Sequence, residues 1–176
     1  MIAPNIKSDG EEFEPYMTKR FGSTSWTGRL KQEGSQDGAP FANWKWCCNT
    51  LKAHQLIHFA SQRHDVETSV SNAAIFNAVY EEGENISLVD TLMKIATQDL
   101  GIPSDSEASL RQYLENDEGA LEVKQEIRRG QGKYKISGVP FFVIEKDDDD
   151  DSPPYGLSGA QKQSSFTRVF EELSNS

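Results

Sequence analysis

The residue types able to do chemistry cluster in a few short stretches: the thiols Cys47 and Cys48, the imidazoles His54 and His58, the pair Val139-Pro140, and Ser158 in "SGAQ". The two cysteines are the only ones and they are adjacent, so they form no disulfide framework. Bonded to each other they would close a small, strained ring. They stand just before Asn49, a candidate helix cap, where a partly positive helix end would favour thiolate. An auxiliary or sensor thiol pair is one reading. Two small fillers between Trp46 and the helix is the stronger, because free cysteine is commonly buried. His54 and His58 are one helical turn apart and Cys47 is two turns from His54, which could place three zinc ligands on one face. No fourth ligand has matching spacing, so no metal is assigned. His64, near a helix end, reads as solvent-facing.

Val139-Pro140 opens the apolar run of "SGVPFFVI" (137–144). Proline lacks an N–H and is tolerated in a sheet only at an edge, a bulge or a strand's first position. A trans bond here would simply start an edge strand. A cis bond would turn the chain and leave the N–H and C=O of Val139 outward, free to pair with an extended ligand. Ser137 and Gly138 would allow close approach. Ser158 precedes the last helix. Capping that helix is its stronger role, and holding a ligand carboxylate beside free N–H groups is the weaker. The run "DDDDD" (147–151) lacks the spaced ligands and turn glycine of a calcium loop, and reads as a solvated loop tip.

Helices dominate what must position these groups. A short one fits 15–21 before Gly22, and another 23–34 closed by Gly34. "GSQDGAP" reads as a loop and "FANWKW" as a short strand or an aromatic plug. Ala53, Leu56, Ile57 and Ala60 recur at i, i+3, i+4 and i+7 behind a cap at Asn49 or Thr50. The next helix fits 66–82, with Val70, Ala73, Ala74, Phe76, Val79 and Tyr80 inward and Gly83 as its stop. A third fits 88–99, capped by Ser87, with Leu88, Leu92, Ile95 and Ala96 inward and Gly101 beyond. Ser104 and Glu107 spell a capping box for 105–115, and a fifth helix over 118–129 should stop at Gly130. "PFFVIE" and "YGLSG" then read as a hairpin with an acidic tip. Phe166, Val169, Phe170 and Leu173 mark a last helix over 161–174. An isolated hairpin is marginal, yet the residues before 45 offer no strong partner strand.

At 176 residues the chain is expected to be one domain, 1–176, with enough apolar content for a core. A net charge of −10 repels phosphate backbones, which excludes nucleic acid and anionic membranes as partners. No apolar run approaches the span of a bilayer, and the first residues lack a basic stretch followed by an apolar one. A cytoplasmic location is the expectation.

The order of motifs resembles the DsbA-like branch of the thioredoxin superfamily, and within it the FrnE-type oxidoreductases. The 2-hydroxychromene-2-carboxylate isomerases and kappa glutathione transferases are relatives of that branch. The matching residues are "APNIKSDGEEFEPYMTKRFG" (3–22), "NTLKAHQLIHFA" (49–60), "AVYEEGENIS" (78–87), "SGVPFFVI" (137–144) and "YGLSGAQ" (155–161). The resemblance implies an α/β thioredoxin-like fold with a helical insertion over about 50–130, then a hairpin and helix over about 138–174. It implies that Val139-Pro140 is the cis-proline loop beside a redox site, with Gly138, Val139, Pro140 and Ser158 as substrate contacts. It also implies an earlier strand and a Cys-x-x-Cys at a helix N-terminus. Neither is in this chain, which is therefore expected to be N-terminally truncated.

The implied activity is thiol–disulfide oxidoreduction on a protein or a small thiol or disulfide, with no cofactor. No catalytic residue is assigned, and the chain as given is expected to be inactive. Glutathione, a substrate of the related isomerases, is the alternative ligand. A non-catalytic interaction protein is the remaining rival.

Overall fold

The computed structural model describes residues 6–146 and 154–175, which fall into two units, Ile2–Val123 and Lys124–Ser176. The acidic run 147–151 lies outside the described residues. In the first unit, β1 (Glu11–Glu12) pairs antiparallel with β2 (Trp46–Cys47). The first 45 residues did not advertise this pairing, and among the described residues it forms a sheet separate from the later hairpin's, so it is not that hairpin's missing partner. Helix α1 (Phe13–Phe21) ends at Gly22, whose φ of 81° is left-handed and costs glycine little. Helix α2 (Thr27–Gln36) runs through Gly34, expected as its stop. Gly34 is a close-approach residue instead: a Cβ there would collide with the Ala39 carbonyl and the Phe41 ring.

"FANWKW" is an aromatic plug that ends in strand β2. The Trp44 ring centroid lies 4.2 Å from that of Phe13, 5.1 Å from Tyr80, 6.1 Å from Phe41 and 6.1 Å from Trp26. Two of these pairs are tilted and two, with Tyr80 and Trp26, are edge-on, the arrangement that aromatic quadrupoles favour.

Helix α3 (Leu51–His64) buries Ala53, Leu56, Phe59 and Ala60, and leaves Ile57 partly buried. Thr50 holds its N-cap position without a side-chain cap bond, and the Asn49 carboxamide oxygen accepts from the Leu51 N–H at 3.2 Å. Helix α4 (Thr68–Phe76) widens into a π-helical stretch, Asn77–Glu82, that stops at Gly83. Its buried row is Ser71, Ile75, Ala78 and Val79. Val70, Ala73 and Phe76, expected inward, face out. Apolar residues lie on more than one face here, and a buried serine hid the true phase.

Helix α5 (Val89–Gln98) buries Leu92, Met93, Ile95 and Ala96, while Leu88 is exposed. Ser87 does not cap it: the Ser87 hydroxyl oxygen accepts the Asn49 N–H at 2.8 Å. Helix α6 (Glu107–Glu115) follows a 3-10 turn at Ser104–Ser106. The Ser104–Glu107 capping box does not form, since Ser106 occupies the cap position and its hydroxyl turns to Asp105. Helix α7 (Ala120–Lys133) continues through Gly130, a glycine that costs helix stability without ending the helix.

Leu56, Leu92, Leu110 and Leu114 are fully buried where α3, α5 and α6 meet. Two polar ties close the ends. Lys52 donates to the carbonyl of Leu114, in the last turn of α6, and to Asp117 at 2.8 Å. Gln55 donates to the Glu118 carbonyl at 2.7 Å. Both satisfy carbonyls that have no helical partner.

In the second unit β3 (Phe141–Ile144) and β4 (Tyr155–Ser158) form an antiparallel hairpin, with Phe141 opposite Ser158 and Ile144 opposite Tyr155. Helix α8 (Gln163–Asn175) buries Val169 and sets Phe166 edge-on against Phe142 at 4.9 Å. Phe170, expected inward, is 53% exposed. The strand expected to be buried is half-exposed, with Phe142 and Val143 each at 36%, because its sheet has two strands among the described residues. Ser158 ends β4 and does not cap α8, which begins at Gln163. The Ser158 carbonyl accepts from the Gln161 carboxamide at 2.7 Å.

Candidate functional site

The chain bends at Gly138, Val139 and Pro140 and then enters β3. The Val139–Pro140 peptide bond is cis. Placing proline just before the strand costs no ladder bond, since it has no N–H to offer. The Pro140 carbonyl accepts from the Gly159 N–H at 2.9 Å, adding one bond beyond the Phe141–Ser158 rung. Val139 is 66% exposed, and no hydrogen bond among the described residues engages its N–H or its C=O. A Cβ added at Gly138 would meet nothing within 4 Å, so the ground beside the bend is open. The bend thus offers one unpaired, solvent-facing peptide unit next to a strand end.

Cys47 is buried in β2 opposite Glu11, Cys48 is partly buried, and both are free thiols. Burial pushes the Cys47 thiol up to about 11, helped by Cys48 and Glu11. Burial also raises Cys48, outweighing hydrogen bonds from the Ile86 and Ser87 main chain and the Ser87 hydroxyl. The thiolate that the start of α3 would favour, the weaker of the two readings from sequence, is therefore disfavoured, and both sulfurs are protonated at neutral pH. The histidines divide. His58 Nδ1 lies 3.0 Å from the Tyr113 hydroxyl, while His54 lines a cavity with both cysteines. Among the described residues no three His, Cys, Asp or Glu side chains gather in a way that could hold a metal. His64 is half-buried against Phe59, with ring centroids 5.4 Å apart, rather than solvent-facing.

Two features of this geometry, a helical block and a hairpin entered through Val-Pro, agree with the comparison to known families. The profile of the DSBA-like thioredoxin domain matches residues 27–171, which is most of the chain. The chain belongs to that family. Among curated proteins, none matches it. The DSBA-like match takes in every helix from α2 to α7, the Val139-Pro140 bend and the whole hairpin. The fold is α/β and thioredoxin-like, with its helical insertion over α3–α7. No described helix is long and apolar enough to cross a membrane.

Sequence reasoning missed one feature of this DSBA-like chain, a cavity of about 240 Å³ in the first unit. Its walls come from residues between Ile6 and Ile86, and include Trp44, Trp46, Thr50, Ile75, Val79 and Tyr80. The concentration of aromatic residues in "FANWKW" was the only signal of it in the sequence.

Proposed function

We propose that this chain serves thiol–disulfide oxidoreduction, as the FrnE-type resemblance implies, by holding the extended chain of a disulfide-bearing substrate at Gly138, Val139 and Pro140. The family match over residues 27–171 carries the reading. The open, unpaired peptide unit of Val139 supports it, because an extended substrate can add its own N–H and C=O there as one more strand. Ser158, on the rung nearest the bend, is the contact expected from the opposite strand.

In the full reaction a thiolate attacks one substrate sulfur and the other sulfur leaves as thiolate. The resulting mixed disulfide is then broken by a second cysteine, which leaves the substrate reduced and the dithiol oxidised. These 176 residues contain no Cys-x-x-Cys, and burial holds Cys47 and Cys48 as neutral thiols. The reading therefore gives this chain the substrate-holding part of the reaction and no dithiol cycle of its own.

The test is an amide NMR titration with S-alkylated insulin B chain and, separately, with glutathione disulfide. Saturable shifts at Val139 and Phe141 with the peptide, weakened several-fold in Val139→Pro, are the expected result. Shifts produced by glutathione alone would favour the glutathione-dependent isomerases and transferases. An unmoved Val139 amide with both ligands would leave an interaction protein with another surface.

A further inference from the structure

Residues 39–43 join α2 to the aromatic plug in the first unit, and nothing about them depends on the Val139-Pro140 bend or the role proposed for it. We propose that this segment is a strap that governs access to Cys47, fastened by the Glu81 carboxylate, and that small thiol-reactive molecules reach Cys47 when the strap lifts.

The strap has little hold of its own. Ala39, Pro40, Ala42 and Asn43 are exposed, and Phe41 alone is half-buried. Phe41 also takes a left-handed φ of 55°, which a bulky residue seldom adopts and which only surrounding contacts sustain. Those contacts converge on two neighbouring residues of the π-helical stretch. The Phe41 and Ala42 N–H groups each donate to one oxygen of the Glu81 carboxylate, at 2.9 and 3.1 Å. The Asn43 N–H donates to the Tyr80 carbonyl at 2.9 Å, and the Asn43 carboxamide donates to the Glu81 carbonyl at 2.7 Å. Both carbonyls lie in the last turn of their helix, where no helical N–H reaches them. At its two ends the strap passes glycines that leave no room for a Cβ, Gly34 against the Ala39 carbonyl and Gly83 against the Asn43 carbonyl.

The strap leads straight into Trp44. Phe41 sets its ring 5.2 Å from that of Tyr80 and 6.1 Å from that of Trp44. Trp44 and Tyr80 wall the cavity that Cys47 also lines, and Cys47 is 5% exposed. Lifting the strap takes Phe41 off both rings and frees the chain that enters β2, where Cys47 sits. A segment with few buried contacts of its own opens locally, well before the core does. Here one side chain, that of Glu81, sets how often.

The test alkylates the full chain with iodoacetamide and follows Cys47 by peptide mass spectrometry in the unaltered chain, Glu81→Gln and Glu81→Ala. Glu81→Ala should raise the rate about tenfold or more, through the loss of two charge-assisted hydrogen bonds. Glu81→Gln keeps one accepting oxygen and should fall in between. Glu81 is not among the charges that act on the Cys47 thiol, so the ratio of rates reads access and not acidity. Amide exchange at Phe41 and Ala42 should quicken by the same factor in Glu81→Ala, while exchange in α3 stays within about threefold. Three results would overturn the proposal: alkylation in Glu81→Ala within about twofold of the unaltered chain, faster alkylation matched by equally faster exchange in α3, or unchanged exchange at Phe41 and Ala42. Melting curves check that both variants fold. If neither does, the unaltered chain decides: the Phe41 and Ala42 amides should exchange about tenfold or more faster than those of Leu56 and Phe59, and equal protection would sink the idea.

Discussion

Cys47 shows how burial overrides position. The start of a helix nearby would favour a thiolate, but the sulfur is enclosed in β2 beside a second thiol and Glu11, and the neutral form wins. With its thiol pushed up to about 11, Cys47 should react with iodoacetamide at pH 8 about a hundredfold more slowly than an exposed cysteine, as read by peptide mass spectrometry. The same shift makes stability depend on pH. Between about pH 9 and 11 the unfolded thiol loses its proton while the folded one keeps it, so stability falls as pH rises through that window. Urea melts across the window should show a shallower fall in Cys47→Ala. Gly34 makes a different point at the same scale. From its type it reads as a helix stop, yet its function is to let α2 approach Ala39 and Phe41. Gly34→Ala should cost about 1–3 kcal/mol in a urea melt, because one of the colliding atoms is main chain. Spacing alone could not reveal this role, since the collision involves residues folded back from a later turn.

The elements themselves were largely legible: every helix and both hairpin strands lie close to where periodicity and glycine placement put them. Their faces were less so. In α4 the inward row passes through Ser71, and the change to π winding at Asn77 shifts the phase for Val79 and Tyr80, so a scan for apolar repeats selects Val70 and Phe76 instead. In α8 the same scan overcounts, because the hairpin it packs on is too narrow to cover Phe170. The two units also differ in how much they bury. From Lys124 onward Val169 is the one buried hydrophobic side chain among the described residues, whereas α3 and α5 each bury several. Hydrogen exchange should therefore run faster at the amides of β3, β4 and α8 than at those of α3 and α5, by at least tenfold in a mass-spectrometric time course. Equal protection would mean that the hairpin and last helix draw stability from something beyond their own core.

At the scale of the molecule, family membership was readable because it rests on the order of motifs, which survives in the sequence. The Val139-Pro140 bend was readable for the same reason. The cavity was not: its walls are assembled from residues between 6 and 86, and no local pattern announces a space. The proposed reading ties any turnover to cysteine content. An insulin-reduction assay with this 176-residue chain should match the blank, and should stay there in Cys47→Ser and Cys48→Ser. Turnover that persisted without either sulfur would remove thiol exchange as the basis of any activity in these residues.

The loosely wound stretch Asn77–Glu82 climbs less per amino acid than the α-helical turns that lead into it. It is accordingly the place where this chain could shed a single amino acid and recover ordinary winding, with the buried row of α4 upstream left in register. Length variation of one unit among kindred proteins would be absorbed there.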